Sequence, residues 1–414
     1  MKEGVFMSKN YLIPVTHFEK EIMTEACGSY ITDTTGKKYL DLNSGQFCTI
    51  LGHSNKFILD EISRASAKMV HTASNIISED VLTAATNLHR ISGTLNGYSI
   101  MLSTGAESVE FAIRYAKHIT GRPGVLCFDK GYHGLTLGAQ SVTYSGVYAT
   151  PRVDNIYTIP VPDTFCSDSE LNLLIIELEN ILKNNADKIA CVLMEPIVSV
   201  GGMIIPPSKW FKNVRRLCDE FNILLIYDES QTGFGRTGNW FAYQTFDAPP
   251  HIVTTAKGVG LGYPVSVVIF DESIVPDSTF AMSHYSSHQN DSFAANIINA
   301  GIKYIEDNNI LDDVKIKGKY FKEQLVKLNE TSDYVTSPRG CGLMLGIDLN
   351  IDGIENYRPV YQKLYRTMMD KGVLIQGTNG GKTLRFLPDY LISYEDIDFA
   401  LSTLADSLNS ELLS

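Results

Sequence analysis

The chain has 414 residues, enough for a large core and two or three domains. Apolar residues make up 44% and charged residues 20%, the balance of a water-soluble globular enzyme, and a net charge of −12 argues against nucleic acid or anionic membrane surfaces as partners. An anionic cofactor or substrate would need a local site that works against this overall field.

The seven cysteines are Cys27, Cys48, Cys127, Cys166, Cys191, Cys218 and Cys341, with no CxxC pair among them. Cys127 and Cys191 lie inside apolar strand-like runs, where a free thiol acts as a small hydrophobe. The pattern implies reduced thiols and a cytoplasmic setting rather than a disulfide framework. Lys2, Glu3, Lys9 and Glu19 interrupt the first twenty residues, so no apolar core of a signal peptide is expected. No run approaches the ~20 apolar residues of a membrane span.

In chain order, residues 1–55 read as an irregular arm followed by a small hairpin. Its strands are Gly28–Asp33 and Lys38–Leu42, around the turn Thr34-Thr35-Gly36. Helices are expected over 57–70 and 78–92. From residue 98 strands and helices alternate: a strand over Tyr98–Leu102, a helix over Ala106–Thr120 closed by Gly121, then strands at Gly124–Phe128, Ile189–Met194, Ile223–Tyr227, Ile252–Thr255 and Val265–Phe270. Helices at 169–184 and 208–221 lie between several of them. This predicts an α/β fold with a mostly parallel sheet covered on both faces. A long helix with its continuation is expected over 292–329. A strand at Gly342–Leu349, a helix near 357–371, a strand at Thr383–Leu387 and a helix near 393–410 then suggest a smaller α+β domain. The expected division is 1–55 as arm and part of a small domain, 56–310 as large domain, and 311–414 as C-terminal small domain.

Several strand ends carry chemistry. Ser103-Thr104-Gly105-Ala106-Glu107-Ser108 joins a strand to a helix, whose free N–H groups suit a phosphate; taken alone it reads first as an ordinary N-cap, with Thr104 capping and Glu107 as first-turn acid. Gly131-Tyr132-His133-Gly134 offers an aromatic able to lie on a heteroaromatic ring, or simply a packed turn. Glu195 opens Glu195-Pro196-Ile197-Val198-Ser199-Val200-Gly201-Gly202 at another strand end. Asp228 and Gln231 end the strand Ile223–Tyr227, and Lys257 stands between Ala256 and Gly258 after the next. A lysine able to form an imine, with a carboxylate able to keep a pyridine nitrogen protonated, is the pair that pyridoxal phosphate chemistry requires. The alternative is two buried strands with solvated charges at their ends. Arg385, inside the apolar Leu384-Arg385-Phe386-Leu387, needs a carboxylate partner, either from the protein or from a substrate.

Taken together, the ordered series Ser103–Ser108, Tyr132-His133-Gly134, Glu195–Gly202, Asp228–Gly238, Ala256-Lys257-Gly258 and Arg385 resembles the class III pyridoxal phosphate aminotransferases, from about Tyr30 to Asp406. The resemblance implies the fold type I architecture, with a seven-stranded type of sheet in the large domain. It implies Lys257 as Schiff-base lysine, Asp228 on the pyridine nitrogen, Tyr132 on the ring with His133 beside it, and Gln231 on its phenolic oxygen. It also implies Gly105 and Ala106 on the phosphate, Glu195 nearby, and Ser287 of a partner subunit capping that phosphate in a homodimer or dimer of dimers. Many ω-amino acid transaminases carry a glutamate at the position of Val200, which neutralises the carboxylate-binding arginine. Its loss here leaves Arg385 for an α-carboxylate.

Ser44-Gly45-Gln46 resembles the glutamine loop of dialkylglycine decarboxylases, and Thr72, Ser74, Ser287, Gln289 and Asp291 resemble that branch's potassium or sodium site. Tyr132 and Val200 depart from that branch. The expected reaction is amino transfer from an α-amino acid to a 2-oxo acid. A decarboxylating transaminase, a racemase or aminomutase, and a non-catalytic binding protein are the alternatives.

Overall fold

In this computed structural model the described residues are 12–13, 15, 18–93, 97–143, 153–275, 282–351 and 353–411. The strands β1 (Met23–Cys27), β2 (Tyr30–Asp33) and β3 (Lys38–Asp41) form an antiparallel meander, one strand more than the expected hairpin. Asp33 fixes its turn, accepting the N–H groups of Thr35 at 2.8 Å and Lys37 at 3.1 Å. The tight turn α1 (Ser44–Phe47) leads to α2 (Lys56–Lys68) and α3 (Glu79–Ser92).

The central sheet is built from β4 (Ser99–Leu102), α4 (Gly105–Thr120), β5 (Gly124–Phe128), α5 (Leu137–Ser141), β6 (Ile156–Ile159), α6 (Asp168–Asn184), β7 (Ile189–Met194), α7 (Ser208–Glu220), β8 (Leu224–Asp228), β9 (Ile252–Thr255) and β10 (Ser266–Phe270). Its order is β4-β10-β9-β8-β7-β5-β6, with β10 antiparallel to both neighbours and the other pairings parallel. Sequence reading missed β6, a short strand that is only partly buried at the sheet edge. Alternate residues of β8 serve opposite cores. Leu225 and Tyr227 pack with α7, while Leu224 and Ile226 join the core beneath α4. This is why the strand reads as one continuous apolar run. Helix α6 shows the complementary pattern: Leu171, Ile175, Leu178 and Leu182 are buried on one stripe, and Ser167 with Glu170 forms a capping box. Each such side chain contributes roughly 1.5–3 kcal/mol on full burial.

Residues 292–331 form two helices, α8 (Ser292–Asp307) and α9 (Ile310–Thr331), broken where Asn309 takes a φ of 53°. The C-terminal part contains β11 (Val335–Cys341), β12 (Met344–Leu349), α10 (Arg358–Asp370), β13 (Val373–Leu374), β14 (Gln376–Thr378), β15 (Thr383–Phe386) and α11 (Tyr394–Glu411). Its sheet, β11-β12-β15-β14, is antiparallel. Strand β13 instead pairs in parallel with β3, tying the C-terminal part to the N-terminal meander. Sequence patterning missed β11, β13 and β14, of which the last two are too short to show a period. Among the described residues no helix is long and apolar enough to cross a membrane.

Candidate active site

The parallel strands β5, β7, β8 and β9 all end on one side, so Glu195 after β7, Asp228 at the end of β8 and Lys257 just after β9 converge there. A cavity of about 500 Å³ gathers Gly105, Ala106, Tyr132, His133, Asp228, Ser230 and Lys257. Lys257 sits in a single 3₁₀ turn with φ of 50°, a left-handed conformation that costs a non-glycine residue about 1 kcal/mol or more. Its amine has no hydrogen-bond or ion-pair partner among the described residues. Burial lowers its pKa, against the opposing pull of Asp228, Cys48 and Glu195.

Asp228 is held rigidly. Its Oδ2 lies 2.8 Å from His133 Nδ1, and its Oδ1 accepts from the Ser230 N–H at 3.0 Å and the Thr254 hydroxyl at 3.2 Å. Burial alone would raise its pKa, but the His133 contact and the Ser230 N–H outweigh it and the acid is depressed. Burial also works against a charged His133, yet Asp228 and Glu195 raise its pKa on balance. Glu195 is pushed up to about 7, chiefly by burial, although it accepts the Tyr132 N–H at 2.8 Å. Among the described residues His133 Nε2, at the cavity, is buried without a partner, and so is Oε1 of Gln231, which lies outside the cavity lining.

At the start of α4, Thr104 caps the helix by accepting the Glu107 N–H at 3.2 Å. The capping reading of this segment therefore holds, and it leaves the N–H groups of Gly105 and Ala106 without an acceptor among the described residues. A Cβ at Gly105 would stand 3.2 Å from Ala256 Cβ and 3.3 Å from Ser230 Oγ, so the position has room for little more than backbone.

Arg385 lies on β15 beside a second cavity of about 350 Å³. Its guanidinium donates to Ser199 Oγ at 2.8 Å and to Gln376 Oε1 at 2.6 Å, and it stacks 4.8 Å above the Phe47 ring. Among the described residues no carboxylate pairs with it. Burial brings its pKa down to about 10. Gln376 in turn donates to Gln46 Oε1 at 3.3 Å. Val200 lines the same cavity, and its carbonyl accepts from the Asn379 N–H at 3.3 Å and from the Thr378 hydroxyl. Gln46 lies in a run of left-handed residues, Ser44 to Phe47, pinned by Asp41 (accepting from Asn43 N and Gly45 N) and by the buried Arg236, which reaches Ser44 Oγ at 3.2 Å. Ser199, Gln376, Phe47 and Arg236 were not singled out as site residues from sequence. Gln376 faces Arg385 only through the β14–β15 register.

Ser287 is exposed and lies outside the lining of both cavities. Its turn is tied to β4 through Asn290, which donates to the Met101 carbonyl at 2.9 Å and accepts the Met101 N–H at 3.0 Å. The candidate ion ligands are engaged locally. The Thr72 hydroxyl donates to the carbonyls of Ala73 and Ile76, and Gln289 Oε1 accepts the Ser286 N–H. Asp291 Oδ1 caps α8, and its Oδ2 faces His71 Nδ1 at 2.7 Å and His288 Nδ1 at 3.3 Å. The Ser74 hydroxyl is buried without a partner.

Comparison with known proteins gives the family of the chain. The family described as "Aminotransferase class-III" matches residues 14–408. The LysW-aminoadipate semialdehyde/glutamate semialdehyde transaminase of Sulfolobus acidocaldarius is 31% identical, over 92% of this chain and 92% of its own. The acetylornithine aminotransferase of Methanocaldococcus jannaschii is 29% identical over 96% of each chain. A Bacillus anthracis aminotransferase structure superposes with a TM-score of 0.89 at 24% identity, covering 95% of this chain and 96% of that one. The chain therefore belongs to the class III aminotransferases, fold type I enzymes that move an amino group with the help of pyridoxal phosphate.

Proposed function

We propose that the cavity at the ends of β7, β8 and β9 holds pyridoxal phosphate, and that the protein transfers an amino group from an α-amino acid to a 2-oxo acid through it. One observation carries the reading: an unpaired, half-buried Lys257 and a charge-stabilised Asp228 face the same cavity. The fit of the cofactor is supported by atoms otherwise without purpose. Gln231 has a buried, unpartnered amide oxygen, and the free N–H groups at Gly105 and Ala106 stand at a helix N-terminus, where phosphates bind. Bound there, the cofactor supplies an electron sink for charge developing at the substrate Cα.

The remaining chemistry belongs to the chain. Lys257 would hold the cofactor aldehyde, then act as the base and acid that moves the Cα proton. Its lowered pKa keeps more of the amine neutral for that task. Asp228 would keep the pyridine nitrogen protonated, with His133 fixing its orientation. Tyr132 would pack on the ring, with its backbone anchored to Glu195. Arg385 would take the substrate α-carboxylate, since its present partners are neutral and do not cancel its charge. Borohydride reduction of the holo-protein followed by peptide mapping tests the assignment; a pyridoxyl group on any lysine other than Lys257 would sink it.

The decarboxylating alternative is not favoured. Gln46 is tied through Gln376 to Arg385, and this supports a role in holding the arginine. Potassium or sodium at Thr72, Ser74, Ser287, Gln289 and Asp291 belongs with that alternative; of these groups the Ser74 hydroxyl is free among the described residues, while Asp291 faces His71 and caps a helix. A homodimer, or a dimer of dimers, is supported by the exposed Ser287 and by Met69, Val70, Ile76 and Ile77, apolar and exposed around residues 71–74. A fully active monomer in sedimentation would contradict it. The same reading divides the chain into 1–55, 56–310 and 311–414.

A further inference from the structure

We propose that the cavity beside Arg385 is a second anion subsite, in which Lys130 and Arg358 receive a carboxylate or phosphate at the far end of an elongated substrate. The proposal rests on the reading of Arg385 as the α-carboxylate anchor and adds the chemistry of the substrate's tail. The cavity is about 350 Å³, and its lining includes Lys130, Arg358 and Arg385 but no aspartate or glutamate. That composition runs against the chain as a whole, which carries 47 acidic and 35 basic residues.

Glycines bring the two outer cations to the wall. A Cβ at Gly201 would lie 2.8 Å from Lys130 Cβ, and one at Gly381 would lie 3.2 Å from Arg358 Cα. Larger residues at either position would push these segments apart. Neither side chain has a hydrogen bond or ion pair among the described residues. Lys130 also borders an adjoining cavity whose lining includes Asp163 and Asp348, and Glu195 acts electrostatically on Arg385 from the cofactor side. Asp348 pairs with Arg339 at 2.6 Å, and Asp163 accepts the Phe165 N–H at 2.9 Å.

A solvated basic face would leave its cations on a convex surface among acids. Here Lys130 is half-buried, Arg385 is buried with an unpartnered Nε, and Arg358 stands at the exposed mouth. The cations therefore run from a buried anchor to an exposed rim along one cavity whose own lining holds no acid, the aspartates beside Lys130 belonging to its neighbour. A substrate with anionic groups at both ends would meet a cation at each, whereas a monoanion would use Arg385 alone.

Calorimetry on the pyridoxal phosphate-loaded protein tests this with adipate, 4-phosphonobutyrate and hexanoate. At least one dianion should bind about tenfold more tightly than hexanoate, and the tighter of the two identifies carboxylate or phosphate as the preferred tail. In the double variant Lys130→Gln/Arg358→Gln that advantage should vanish, while hexanoate affinity should shift by less than about twofold, because a monoanion uses only Arg385. Equal binding of dianions and hexanoate, or an advantage that survives the double variant, would overturn the subsite. A spectral assay of cofactor conversion by an amino donor, run on the same samples, separates the two ideas. A reacting donor with no dianion preference removes the subsite alone. A charge-dependent dianion preference without any donor reaction leaves the subsite standing and removes the aminotransferase reading.

Discussion

The two ends of the candidate active site are built on opposite principles. At the cofactor end, Asp228 is clamped by His133, Ser230 and Thr254 at the tips of parallel strands, and ionic contacts set its charge. At the substrate end, Arg385 is held by Ser199, Gln376 and the face of Phe47, none of which carries charge. The first arrangement stabilises a charge that must never change. The second keeps a charge available, since a carboxylate neighbour would compete with any substrate.

Four substitutions can break or sharpen that contrast. The largest effect is expected at Lys257→Ala, which removes the proton-transfer group at the rigid end. Turnover should fall by on the order of 10³-fold or more. Stability should not suffer, because the half-buried amine has no hydrogen-bond or ion-pair partner among the described residues to lose. Single-turnover kinetics beside thermal melting would check both. Arg385→Ala comes next. Loss of a charge-assisted bidentate contact should cost about 2–4 kcal/mol in kcat/KM for amino acids, tens- to hundreds-fold, with little change for simple amines. Equal losses for both donor classes would make Arg385 structural.

Gln376→Glu would place a carboxylate on the cross-strand neighbour of Arg385 and make the substrate end resemble the cofactor end. The new ion pair should lower kcat/KM for amino acids by about tenfold, mostly through KM, while amines hold or improve.

The smallest effect is expected from Glu195→Gln. Burial lifts Glu195 from 4.5 to about 7, so through that interval the native state keeps a proton that the unfolded chain has released. This raised pKa makes stability fall as pH rises across the window. Glu195→Gln should flatten part of that slope in melting curves taken from about pH 5 to 8, whereas a slope of unchanged steepness would refute the assignment. Glu229, also lifted to about 7 by burial, accounts for a residual slope.

How legible each end was in sequence follows from the same contrast. Asp228, Glu195 and Lys257 each terminate a buried strand or follow it closely, and a long apolar run ending in one charged residue stands out. The partners of Arg385 left no such trace. Gln376 belongs to the three-residue strand β14, Ser199 to a loop, and Phe47 to a left-handed turn. The departure at Val200 was readable, but its meaning depended on which groups had taken the arginine instead. At Asp291 the sequence suggested oxygen ligands, and His71, which meets it at 2.7 Å, lies 220 residues earlier.

By itself the sequence determined the alternating strands and helices, the carboxyl-end position of the charged residues and the resemblance to class III aminotransferases. These rest on local period, strand termini and the order of short motifs, all written in consecutive residues. Only the tertiary structure decided that β13 closes onto β3, that a glutamine chain holds Arg385, and that Lys130 and Arg358 share a cavity whose own lining holds no acid. Those facts join segments hundreds of residues apart. They depend on strand register and close backbone approach, which no single stretch of sequence encodes.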